Sequence, residues 1–335
     1  MKSKLLILSL LLAPRWLPAA SSGGAFLKID PSARSYALGG SGVVTALGPE
    51  SIGINPANLM SAVRKVEILT SYSSLSEGVG YAHIAGSIHR STKRNLLVDA
   101  LGFSYTRLSV SGFEGRDGSG NKTSDFASTD SQMSVSLAGN LKLGHVPASG
   151  RSYAGSRQGI QVGLTGKIVN SKIAQYKANT ALAADMGASY GFKSFGKEMM
   201  LGASLNNLGQ QIKYVNQKDS LPTTVNLGLT AQMGFLNLAG GLRQELKGAT
   251  NLNLGAEFNL GMVSLRAGVN ALPASSAGRG GGTSGLLEGL SSGIGLNLGM
   301  AKLDYALGQS SSDLGISHRI SLTLQFGRES MGRKK

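Results

Sequence analysis

The sequence predicts an all-β protein: a transmembrane antiparallel β-barrel of about 14 strands, with an N-terminal hatch segment in its lumen. Three observations carry this. Segments of about ten residues alternate apolar and polar side chains with period two. The composition is poor in charge and rich in glycine. A short apolar leader opens the chain.

The alternation is plain at Asn251–Leu260. Leu252, Leu254, Ala256, Phe258 and Leu260 fall on one face, with Asn251, Asn253, Gly255, Glu257 and Asn259 on the other. A helix would mix these sets and a strand separates them. Met133, Val135 and Leu137 oppose Gln132, Ser134 and Ser136, and Ile320, Leu322, Leu324 and Phe326 oppose Arg319, Ser321, Thr323 and Gln325. The pattern recurs at 160–168, 182–190, 225–229 and 263–269. A tilted strand needs about 9–11 residues to cross a bilayer, whereas strands in soluble sheets are nearer ~5–6. The candidates between Val66 and Phe326 number about fourteen, the even count of a single-chain barrel.

Composition agrees. Charged residues are 15 % of the 335, and glycine contributes 48, about double its usual share. Hydrophobic residues are 41 %, yet mean hydropathy is close to zero, as it is when a wall alternates apolar and small polar residues. The absence of cysteine excludes cysteine-based metal, redox and nucleophile chemistry.

Met1-Lys2-Ser3-Lys4 followed by the apolar run Leu5–Ala13 reads as a secretory signal occupying residues 1–20. The run is too short to span a membrane. Removing Lys2, Lys4 and Arg15 takes the net charge from +15 to +12. These charges are scattered and lack interleaved aromatics, so anionic lipid head groups are the expected partner and nucleic acid is not. Residues 328–335 read as a basic tail and 65–327 as the barrel.

Residues 21–64 are rich in Gly, Ser, Ala and Pro and lack clean alternation. They read as a hatch entering the lumen, with a flexible leader as the alternative. With both barrel ends periplasmic, the longest loops belong at odd-numbered connections. Ser111–Asp130, Gly209–Ser220 and Ala271–Glu288 obey this rule, while Gly144–Ser156 is a long even-numbered turn.

The hatch reads Phe26-Leu27-Lys28-Ile29-Asp30-Pro31-Ser32-Ala33-Arg34, then Gly39-Gly40, then Asn55-Pro56-Ala57. This series, with Leu265-Arg266-Ala267-Gly268 and Asp304-Tyr305-Ala306 near the far end, resembles PorV/PorQ-type proteins of the FadL-like outer-membrane transport family. The resemblance implies a fourteen-stranded barrel with a hatch in the outer membrane, and Phe326, the aromatic ending the last alternating run, resembles the signal read by the barrel-assembly machinery. It implies transport of hydrophobic or amphipathic small molecules, or alternatively a PorV-like accessory role in type IX secretion, binding exported proteins. A soluble exported adhesin is a third reading. The hatch motif is Pro31, Arg34, Gly39, Gly40, Asn55, Pro56 and Ala57.

Several charges fall on the polar strand face: Lys142, Lys167, Asp185, Arg243, Glu245, Glu257, Arg266, Asp304 and Arg319. A mid-depth Arg or Lys facing lipid would cost about 2–4 kcal/mol, so these residues should face the lumen. There they form either a polar constriction or an ion-pair network joining wall to hatch, for which Arg34 is the natural partner. Asn55-Pro56 reads as a turn. The four histidines lack metal-ligand spacing. Gly280, Gly282 and Gly285 match a dinucleotide pattern in the wrong context, and no nucleophile elbow occurs. No enzyme, cofactor or metal is expected.

Overall fold

The computed structural model describes residues 23–76, 78–89, 98–141, 159–214, 217–271, 289–311 and 315–329. The leader at 1–20, Lys142 and the run holding Gly280, Gly282 and Gly285 lie outside them. Fourteen long strands form the wall: β1 Arg64–Ser76, β2 Val79–His89, β3 Ala100–Phe113, β4 Phe126–Leu141, β5 Gly159–Ile173, β6 Ala181–Ser194, β7 Lys197–Gly209, β8 Thr224–Met233, β9 Leu236–Glu245, β10 Thr250–Leu260, β11 Val263–Ala271, β12 Leu290–Asn297, β13 Ala301–Ser311 and β14 Gly315–Glu329. Each pairs antiparallel with its chain neighbours, and β1 pairs with β14 to close the ring. Closure leaves the wall without an edge strand. The last strand continues to Glu329, two residues past the expected end of the barrel at 327.

The period-two pattern sets which face points where. On β3, β4 and β5 the outward Phe103, Val135 and Leu164 are each 58 % exposed, while the inward Ser104, Ser136 and Thr165 are buried. The register aligns these faces around the ring, with Phe103 opposite Val135 and Leu137 opposite Leu164. A one-residue slip would turn every apolar residue inward. The outside is therefore an apolar belt and the inside a polar lining.

Residues 23–63 fill the interior as five short turns. They are Ala25–Lys28, helix α1 (Ala33–Ala37), helix α2 (Gly42–Thr45), Gly48–Ser51 and Pro56–Ser61. The local sequence explains them. The Ser32 Oγ accepts the Ser35 N–H (3.0 Å) and caps α1. Gly39 and Gly40, at φ 65° and 74°, end it in a conformation that other residues rarely adopt. Asn55 caps the last turn, and Pro56 starts it with its preset φ.

The segment circles the inside of the wall. Helix α1 packs on β11–β14, α2 on β7–β9, Gly48–Ser51 on β1–β3, and Pro56–Ser61 on β2–β6. It begins beside Ile212 and Asp219 in the β7–β8 connection, where Gly23 sits, and ends at Arg64, where β1 starts. These points lie at opposite rims, so the hatch threads the lumen from end to end.

Candidate functional site: a hatch held in a polar lumen

The inward charges meet in three groups. In the first, Glu257 on β10 is the register partner of Arg266 on β11. Arg266 Nε lies 2.8 Å from Glu257 Oε1, and its Nη1 lies 2.7 Å from Asp304 Oδ1 on β13. The Arg34 guanidinium comes down from α1 and grips Glu257 with two contacts, Nη2 to Oε2 at 3.0 Å and Nε to Oε1 at 3.1 Å. Asn237 Nδ2 donates to the same Oε2 (3.1 Å). Glu50 of the hatch stands 3.6 Å from Arg34 and accepts from Ser32. Burial pushes the Glu50 carboxyl up from its ordinary range, with Arg34 and Ser32 opposing. Glycine at 295 leaves room for Arg266: a Cβ there would stand 2.6 Å from its Nη2.

In the second group, Lys167 Nζ on β5 lies 2.7 Å from Asp185 Oδ2 on β6, and donates to Asn207 Oδ1 at 2.7 Å. Asp185 Oδ1 accepts the Asn207 N–H (2.8 Å). Here the β6–β7 ladder shifts register between Ala184 and Met186.

The third group gathers on the hatch entry. Arg319 donates to the Asp30 carbonyl (2.8 Å) and lies 3.7 Å over the Tyr36 ring. Arg243 Nη2 stands 3.6 Å from Asp30 Oδ1, and Lys28 reaches Glu245 at 3.0 Å.

The remaining hatch-motif residues serve the same docking. The Pro31 carbonyl accepts from Ser71 on β1. Asn55 Nδ2 donates to the Val43 carbonyl (2.9 Å) and to Ser189 Oγ (3.0 Å), while its Oδ1 accepts the Ala57 N–H at 3.3 Å. Asn58 repeats the pattern, bonding the Val43 and Ala46 carbonyls at 3.1 and 3.0 Å and accepting from Ser189 at 2.6 Å.

Sequence reasoning missed Glu50, Asp30, Asn58 and a belt of wall glycines. Gly163 pairs with Gly187, Gly202 with Gly228, Gly228 with Gly241, and Gly255 with Gly268. The hatch backbone lies directly against Gly163, Gly202, Gly255 and Gly268, and hatch side chains against Gly187 and Gly228. A Cβ on Gly202 would sit 2.6 Å from the Val43 carbonyl oxygen, one on Gly255 2.6 Å from that of Leu38, and one on Gly163 2.6 Å from Ala57 N. On the outward face of the same strand, Gly166 has nothing within 4 Å. The signal for the belt was present as glycines at inward strand positions.

Between hatch and wall, a cavity of ≈ 550 Å³ opens at the rim where β1 begins. Its lining is charged and polar, with Arg34, Glu50, Glu67, Glu257, Lys302 and Asp304 among it. Ser61 Oγ and Asn237 Oδ1, which also line it, have no protein partner. One apolar cluster gathers Ile52, Leu59, Met60 and Leu69 around the last hatch turns, while another lies at the other rim. Phe26 packs there against Val169, Ala181, Ala183, Ile212 and Leu221, with Leu27, Ile29 and Tyr214 at the margin.

No protein-family model and no curated protein matches the sequence. Solved structures do share the fold. The CymD monoaromatic hydrocarbon channel aligns with TM-score 0.57 and 11 % identity, covering 91 % of this chain and 99 % of its own. A TodX monoaromatic hydrocarbon channel mutant gives 0.55 and 12 % over 88 % and 99 %. A Pseudomonas aeruginosa FadL homologue gives 0.52 and 11 % over 88 % and 98 %. The chain thus has the closed fourteen-stranded architecture of FadL-like barrels.

Proposed function

We propose that this protein is an outer-membrane channel for hydrophobic or amphipathic small molecules, gated by its hatch. The observation that carries the reading is the placement of the apolar cluster around Phe26. It sits at the rim where the hatch enters, partly open at Leu27, Ile29 and Tyr214, beneath a short hairpin formed by Ile212–Tyr214 and Gln217–Asp219. An apolar solute leaving water gains about 25 cal/mol per Å² of surface it buries, and this cluster would offer that burial once the hatch shifts, since the space beside Phe26 is only ≈ 20 Å³. The apolar belt of the wall supports a membrane setting, and the fold is shared with hydrocarbon channels. The hatch fills the lumen, which argues against an open water-filled pore. The polar cavity at the far rim is a poor resting place for a hydrocarbon, so passage would require the hatch to yield.

The test is uptake by cells making the protein, with labelled toluene and oleate compared against labelled arabinose. Faster entry of the apolar solutes alone supports the reading. Equal acceleration of arabinose would mean an open pore, and no acceleration of toluene or oleate would overturn the proposal.

A further inference from the structure

At the rim where the hatch enters, four lysines share one outward face. Lys172 on β5 is the register partner of Lys177, and Lys213 is the register partner of Lys218. All four are exposed. The two pairs adjoin, because Asn179 donates its N–H to the Lys213 carbonyl (3.2 Å). Like charges directly opposite in a sheet are destabilising. Among the described residues, no ion pair offsets them. The nearby acids are turned the other way: Asp130 bonds the inward Ser171, and Asp219 is the register partner of the buried Ile212.

The height of this shelf is set by the wall. Leu164 and Ile168 stand outward on β5. Lys172 continues that row four residues on, about 13 Å along the strand. On β4 the apolar row ends at Met133, the register partner of Ile168, and Thr129 faces Lys172. The lysines therefore begin where the apolar belt stops, at the depth of lipid head groups.

We propose that Lys172, Lys177, Lys213 and Lys218 form a binding site for the phosphate groups of a phosphorylated glycolipid in the outer leaflet. The lysine stems lie along the apolar belt while the ammonium groups meet phosphates above it. Spacing like charges across two strands makes sense when the counter-charge is a multivalent lipid rather than a side chain. The assignment rests on the barrel spanning the outer membrane with its chain ends inward.

The test uses the full-length protein in detergent, checked first for a heat-modifiable band. A missing band would fault the barrel itself rather than the lysines. Native mass spectrometry then measures retention of bisphosphorylated lipid A and of its dephosphorylated form. The wild type should retain the bisphosphorylated lipid selectively, and K172Q/K177Q/K213Q/K218Q should lose it, with about fivefold weakening per lysine. K193Q/K197Q, at the opposite rim, should match wild type. Equal retention by the quadruple variant, or of the dephosphorylated lipid, would overturn the proposal. Full displacement by millimolar inorganic phosphate would overturn it too, since that would make the site one for free phosphate.

Discussion

Arg34 of the hatch and Glu257 of the wall, 223 positions apart in sequence, are joined by two charge-assisted contacts of 3.0 and 3.1 Å. Both side chains are largely buried, so neither has water as a ready substitute. Glu257 also holds Arg266. One carboxylate thus fixes both the hatch and the neighbouring strand.

Breaking this group from one side should therefore be costly. Removing one member of a buried ion pair leaves its partner charged and desolvated, at about 3–5 kcal/mol. E257Q should lower the temperature at which the folded gel band converts to the heated form, and should expose Arg34 to trypsin. An unchanged conversion temperature would mean that the ion pairs add nothing to hatch docking.

The glycine belt predicts a sharp contrast within one strand. G163A puts a methyl group against the Pro56–Ala57 backbone, and overpacking of this kind costs about 1–3 kcal/mol or more. G166A adds the same methyl group on the open outward face. The first should make the hatch sensitive to trypsin while the barrel still forms, and the second should not. Equal sensitivity of the two would refute the close approach.

Asn55 ties three parts together: its own turn, the Val43 carbonyl and Ser189 of β6. N55A should leave buried groups without partners, at about 1–3 kcal/mol each. Because these bonds join the hatch to itself and to the wall, urea should release the hatch earlier, while the gel mobility of the barrel stays the same.

Glu50 predicts a pH dependence whose sign follows from its environment. Burial raises its folded carboxyl above the ordinary value of 4.5. A raised folded value means the native state binds the proton more tightly than the unfolded chain. Its stabilising contribution is present below the unfolded value and is lost as pH rises through the folded one. Relative to E50Q, the wild type should lose stability in urea as pH rises above 4.5. A constant difference across that range would show that burial does not shift this group.

Much of the fold was legible because strand structure is local. The alternation at 251–260 follows from side chains pointing to opposite faces of an extended chain, and it needs no knowledge of partners. Burial of the charged set followed from the cost of placing such groups in lipid. Asp185, Glu257, Arg266, Asp304 and Arg319 all face inward, and Arg34 is the natural hatch partner for one of these carboxylates. Which carboxylate it takes was not legible, since the choice of Glu257 depends on how α1 settles across β11–β14.

The sequence by itself determined the strand period, the inward placement of charge, and a hatch distinct from the wall, because each is a property of neighbouring residues and the solvent they tolerate. Only the tertiary structure decided the pairing of β1 with β14, the threading of the hatch from rim to rim, and the use of Gly163, Gly202 and Gly255 as its bed. It also placed the open cavity among polar groups at one rim and the apolar cluster around Phe26 at the other. These are contacts between segments far apart in sequence, and they exist only once ring closure has fixed which inward faces meet.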